Sequence, residues 1–523
     1  MQRGTEVFAR RIDAILGGVL ALWAGVLVFD PAAPLGGGWW SFVDLPGVLI
    51  AGILVLRRNE FLATRTAFHL VVLLALWLLW RTPGIASNTQ AGHAVLAALV
   101  ILAAMASPMA TARHFQRAVL LSGIAAVALT LACERLGWGE WLSAHWNAEV
   151  QWSGAWRRWA GPTAHPNLLA YLCALTLWAG IAWPWRGERW ERLAMVLLGI
   201  ALGFVTFATL GRVGWVVFVC TAVGGAIWAW RAHRKAIVLA LPALLLIVAA
   251  LASFCGAALA RPDLVAGRMA SVQRQFSPTP TEILADPEAN ILSRGNVYRD
   301  AAALIREAPL LGHGLAAYDR LGKYEALHTH ELVFELLLIG GVPALVLGLG
   351  GLLWALLRGH EPFARGVILI ALIAGVADYF YFFKWPLLWL AFAVGVALHR
   401  TTFLPAGLRL GASLAALRGG MRRYRNVLLI FAGLAVAYQL REESSFDFHV
   451  YYGASRWHAE TGESPYQAWE GSVFATGDTP LAKYLRARQT DRVPDALRFL
   501  YPPTALMQLR PFTWPDDPAI AAR

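Results

Sequence analysis

Apolar runs long enough to cross a bilayer recur along the first 400 residues. They start near Ala14, Leu45, Ala67, His93, Phe115, Asn167, Leu193, Val213, Ala236, Glu331, Val367 and Pro386, and a helical crossing needs about 20 residues. The pattern predicts an all-α polytopic membrane protein with about twelve transmembrane helices. A further run from Val427 to Leu440 predicts one more span, and a tail follows it. Between the two lies a basic linker, about 401–426, carrying Arg409, Arg418, Arg422, Arg423 and Arg425.

Every second connection is basic. Arg57, Arg58 and Arg65 mark one, Arg113 and Arg117 the next, then Arg186, Arg189 and Arg192, then Arg231, Arg234 and Lys235, then Arg358 and Arg365. Lys and Arg are retained on the cytoplasmic side, so both ends of the twelve-span unit are expected there. The opposite face then receives two long loops, about 134–166 and about 260–330, and the tail after residue 441. Chemistry is expected on that outer face.

Composition agrees with this reading. Of the residues 58% are hydrophobic and only 15% charged, against about 25% charged in soluble domains. The 24 tryptophans and 48 glycines supply interfacial aromatics and close helix contacts. The net charge of +12 is explained by loop arginines rather than by nucleic acid. Cys133, Cys173, Cys220 and Cys255 are too scattered for a disulfide framework or a zinc site.

Loop 134–166 carries Trp138, Trp141, Trp146, Trp152, Trp156 and Trp159, which suit indoles at headgroup depth or, alternatively, sugar stacking. It ends in Arg157, Arg158 and GPTAHPNLLAY, where Asn167 can cap the following helix. In loop 260–330, RGNVYRDAAALIREAPLLGHG predicts an amphipathic helix over 294–307, stopped by Pro309 and a turn at Gly312 and Gly314. A second helix is expected to open at about His330, whose imidazole the helix N-terminus would keep neutral, as a base requires. His328 and His330 form an HxH pair, but no cysteine or paired carboxylate lies near in sequence, so no metal is expected. Glu331 and Glu335 are expected to favour the helix start and to face a polar cavity. Arg212, alone in the turn TLGRVGW between two spans, is a functional candidate by default. A guanidinium fork suits a diphosphate.

The segments GPTAHPN, TLGRVGW, SRGNVYRDAAALIREAPLLGHGLAAY and HTHELVFELLLIGGVPALV, in that order, resemble the O-antigen ligase and O-antigen polymerase superfamily over about residues 1–400. The resemblance implies about twelve spans, a large helical periplasmic loop, and transfer of a glycan from undecaprenyl diphosphate to an acceptor hydroxyl. The transfer would be inverting and metal-independent, without a cofactor. It implies diphosphate binding by Arg212 and Arg294 and a catalytic His330, with Arg157, Arg158, Asn167 and His328 as weaker candidates. Glu331 stands where the family often has Asn. The setting implied is the bacterial inner membrane, with the active site facing the periplasm. The acceptor could be lipid A core, a growing polymer, as in an O-antigen polymerase, or a protein side chain, as in a protein O-oligosaccharyltransferase. A lipid-linked glycan flippase is the rival of another class; against it, the sequence shows neither an internal repeat nor paired Gly/Pro-broken spans in its two halves.

The C-terminal segment 427–523 contains FDFHVYYGASRWHAETGESPYQ. It resembles the first outer loop of polyprenyl-phosphosugar-dependent multi-spanning glycosyltransferases. The resemblance makes Asp447 a candidate acid in a partial second domain of one span and a periplasmic loop.

Overall fold

The computed structural model describes residues 2–29, 44–58, 62, 66–82, 89–107, 110–145, 152–153, 156–163, 165–185, 188–233, 237–276, 294–323, 328–376, 378 and 383–399. By compactness residues 1–34, 39–83 and 90–403 form one unit, and 404–523 belong to a second. Asp447 and the further span over 427–440 lie outside the described residues.

The described part is a helical bundle. Its longer helices are α1 (Gln2–Val26), α2 (Asp44–Arg57), α3 (Thr66–Arg81), α4 (Thr89–Ala106), α5 (Ala110–Arg135), then after the short α6 (Gly139–His145) α7 (Pro166–Ile181), α8 (Arg189–Ala208), α9 (Arg212–His233) and α10 (Ile237–Ala260). The 260–330 region supplies α11 (Pro262–Phe276), α12 (Arg294–Glu307) and α13 (Ala317–Leu321), and α14 (Leu332–Arg358), α15 (Pro362–Gly375) and α16 (Lys384–Leu398) complete the bundle. Six helices are long and apolar enough to cross a membrane by length and composition, and five more are shorter apolar helices of 10–17 residues. The strand among the described residues is a two-residue antiparallel ribbon, Trp152–Ser153 with Trp156–Arg157, in the first long loop.

Two local arrangements explain how the apolar faces come together. Gly199 and Gly203, one turn apart on α8, leave no room for a Cβ: each would strike backbone carbonyls of α10, at Leu246 and Ala250 respectively. Small residues at this spacing let two helices approach backbone to backbone, which is how contact is gained where lipid is as apolar as the side chains. Phe115 of α5 stacks on Phe392 of α16 at 4.3 Å between ring centres and meets Phe363 of α15 edge-on at 5.7 Å. This aromatic cluster ties the last two helices to the fifth.

Helix α14 is broken near its start. Gly341 has φ 64°, and Pro343 follows it. Pro343 has no N–H, so the carbonyl of Ile339 loses its helical donor, and the kink removes that of Leu338 as well. The turn after α12 supplies replacements. His313 N donates to Leu338 O (2.7 Å) and Gly314 N to Ile339 O (2.9 Å), while Val342 N donates to Pro309 O (3.1 Å). The indole of Trp77 takes Gly340 O (2.8 Å), and Arg81 reaches back to the carbonyls of Leu311 and Gly312. Gly312 and Gly314 both have positive φ and press against backbone at 340–341 and 81–82, so only glycine fits there. The turn expected at these glycines is therefore a plug in a broken helix.

Candidate functional site

Polar groups converge at one end of the bundle. Arg158 follows the ribbon, is only 9% exposed, and lies along the Thr209–Gly211 turn, its Nε donating to Thr209 O (2.9 Å). Its Nη2 donates to Asn167 Oδ1 (3.1 Å), and Asn167 Nδ2 donates in turn to Asp378 Oδ2 (2.9 Å). The other carboxylate oxygen, Asp378 Oδ1, faces His330 Nδ1 at 3.3 Å. One chain of contacts therefore runs from a buried guanidinium to a half-exposed imidazole. Gly211 makes it possible, since a Cβ there would meet Asn167 Oδ1 at 2.6 Å.

Asn167 does not cap α7. His165 holds that position, its Nδ1 accepting from Asn167 N (3.1 Å), and Pro166 opens the helix. Relieved of capping, the Asn167 side chain is available to bridge Arg158 and Asp378. Likewise the N-cap of α14 is Glu331, whose carboxylate accepts from Phe334 N (2.7 Å). The departure from Asn at this position thus keeps a capping function. His330 stands just before the cap with φ 59°, a left-handed conformation that costs a non-glycine residue energy and is held by its neighbours. The hold comes from Glu335, which is fully buried and accepts from both Thr329 N (3.0 Å) and Thr329 Oγ1 (2.9 Å). Glu335 braces the HTH turn rather than lining an open cavity. His328 packs edge-on against His330, ring centres 4.3 Å apart, and its Nδ1 accepts the His330 N–H at 3.2 Å.

Arg212 occupies the first position of α9, where the positive end of the helix dipole opposes a cation. Its charge and that of Arg268 both act on Arg158. Burial first, then Arg268 and Arg212, push the Arg158 guanidinium down to about 9, and Asp378 opposes them. Burial also holds Arg268 below its ordinary range. Arginines that act on one another in this way have the charge and fork geometry that suit a multiply charged anion.

Arg268 and Asp378 were not among the residues expected from sequence. Arg268 carries a readable signal: Leu264, one turn earlier on α11, packs with Phe207, Leu210 and Trp215, so Arg268 falls on the same face, over the Arg212 turn. Asp378 is a lone acid after an apolar helix, 48 residues beyond His330, and no local pattern links the two. Its approach supplies the carboxylate that the HxH pair lacks in sequence. Arg157 turns away from this chain and pairs with Glu134. Arg294 opens α12 as expected, and its side chain lies outside what the structure describes. One turn on, Tyr298 meets Phe334 in the first turn of α14, ring centres 5.6 Å apart, so the starts of α12 and α14 lie together. Of the loop tryptophans, Trp138 and Trp141 are exposed, and Trp159 packs on Phe204.

Among curated proteins none matches this chain. A family model described as O-Antigen ligase matches residues 197–349, a stretch that holds Arg212, Arg268, Arg294, His328 and His330 and stops before Asp378. Over that stretch the chain is similar to the O-antigen ligase family, and its apolar helices are those of a multi-pass membrane protein.

Proposed function

We propose that the protein is a glycosyltransferase that moves a glycan from undecaprenyl diphosphate to an acceptor hydroxyl. The observation that carries this reading is the contact chain Arg158–Asn167–Asp378–His330 beside Arg212 and Arg268. The arginines bind the diphosphate and stabilise the charge that develops on its leaving oxygen, a role fixed cations fill without reorganising. Arg294, at the start of the neighbouring α12, joins them. Asp378 accepts the Nδ1 proton of His330, which leaves the Nε2 lone pair to take the proton of the acceptor hydroxyl. The acceptor oxygen then bonds to the anomeric carbon as the carbon–oxygen bond to the diphosphate breaks, and the anomeric centre inverts. Asp378 positions the base, and Asn167 positions Asp378 while contacting the arginine set.

We place the site on the periplasmic face of a bacterial inner membrane, where the alternation of loop arginines leaves it. The six long apolar helices, the five shorter ones and α2 then make the twelve crossings. Lipid A core, a growing polymer or a protein side chain would each present the hydroxyl this chemistry needs.

The test is transfer by the purified chain from a lipid-linked glycan to each acceptor class, with the donor diphosphate and its monophosphate compared. Equal use of the monophosphate donor, or transfer undiminished in Arg212→Ala, would overturn the reading.

A further inference from the structure

The proposed base, the carboxylate that positions it and the histidine packed against it also have the composition and spacing of a metal site. One ligand atom from each of His328, His330 and Asp378 lies within 4.8 Å of the others. In a tetrahedral zinc site, bonds of roughly 2.0–2.1 Å put neighbouring ligand atoms about 3.3 Å apart. His330 Nδ1 and Asp378 Oδ1 stand at 3.3 Å, a separation that suits a shared ion. It is longer than the roughly 2.7–2.9 Å of a charge-assisted hydrogen bond. The competing carboxylates are engaged elsewhere, Glu331 on Phe334 N and Glu335 on Thr329. His330 is 34% exposed on its side chain, which gives an ion a way in.

We infer that His328, His330 and Asp378 form a binding site for a divalent ion of the zinc class, and that its occupation stops transfer. Two imidazoles and one carboxylate, with a fourth position open to water, are the donor set of zinc rather than of magnesium or calcium, which take oxygen ligands. Either ring nitrogen of His328 can supply the third ligand; coordination through Nδ1 would replace its 3.2 Å contact with the His330 N–H, a contact at the long end of hydrogen bonding.

The second half of this inference rests on His330 being the base. With the metal on Nδ1, the imidazole proton must sit on Nε2. No lone pair then remains for the acceptor hydroxyl. The ion and the acceptor proton thus compete for opposite tautomers of one ring.

The experiment titrates Zn2+ into the full-length, untagged chain in nanodiscs against a chromophoric chelator, and Co2+ as a coloured substitute. One equivalent per chain is expected above background, weakened roughly 100-fold in His328→Ala and in Asp378→Ala, first-sphere losses at least as large as those known for outer-sphere partners. His328→Asn, which keeps an acceptor for the His330 N–H, should lose the ion as well while retaining the turn. Visible cobalt bands should vanish in the same variants, and excess Mg2+ should not compete. Transfer should fall with zinc occupancy and return on chelation. Equal stoichiometry and affinity in wild type and all three variants would overturn the site. Zinc bound as expected with transfer unaffected would uphold the site and remove His330 as the base. No zinc bound, with His330→Ala still inactive, would remove the site and leave the base in place.

Discussion

Asn167 Nδ2 donates to Asp378 Oδ2 over 2.9 Å, joining residues 211 positions apart in the chain. The same amide accepts from Arg158 through its oxygen, so one side chain is shared by the proposed anion-binding and proton-accepting halves of the site. Asn167→Ala should therefore affect both donor KM and kcat, whereas a residue serving one half would move one constant. Steady-state transfer against donor concentration separates the two outcomes.

Asp378→Asn should lower kcat by roughly 10- to 100-fold with donor binding nearly intact, since an amide cannot enforce the Nδ1–H tautomer of His330. Asp378→Glu should recover part of the rate. A loss of donor affinity equal to the loss of rate would assign Asp378 to the fold instead.

His330→Ala should remove roughly 10²-fold or more of the transfer rate while lipid-linked donor still binds. Measuring binding and transfer on the same membranes makes the comparison direct, and unchanged transfer would reduce the residue to part of the α14 cap.

Arg158 gives a signed pH prediction. Burial and its arginine neighbours hold it at about 9 in the fold, well below the ordinary arginine value it keeps in an unfolded chain. The unfolded state then binds more protons between those values, so Arg158 favours the fold increasingly as pH rises past about 9, and its charge is a cost below that. An anion should remove the cost. Pyrophosphate at about 100 times its Kd should stabilise the chain by roughly 2.7 kcal/mol, read as a thermal shift at neutral pH. Arg158→Met should lose that shift and the alkaline gain together.

Gly203→Val should destabilise the bundle by roughly 1–3 kcal/mol or prevent its assembly, because the new side chain enters the space of the Ala250 carbonyl. Detergent-resistant thermal unfolding followed by tryptophan emission would register it. Gly224, with open space where its Cβ would stand, should tolerate alanine.

Much of this architecture was legible because it is local. The apolar runs and the amphipathic period of 294–307 specify helices from neighbours three and four apart, and α12 begins and ends where the pattern does. Arg212 stood out because a lone cation between two spans is costly. Asp378 did not, because its meaning depends on Asn167 and His330, which reach it only through tertiary packing. The capping role was misassigned for a related reason: GPTAHPN holds two residues able to cap, and His165 does so while the Asn167 side chain bonds Arg158 and Asp378, partners that only tertiary packing brings near.

The broken start of α14 bears on how such proteins can be recombined. Leu338 and Ile339 have their carbonyls satisfied by His313 and Gly314, so the turn after α12 and the helix complete one another's backbone. A chimera that exchanges the loop alone would pair a foreign turn with a native break and leave two acceptors bare in apolar surroundings. Grafts should therefore carry residues 304–344 as a single inheritable block, with Trp77 and Arg81 matched to it.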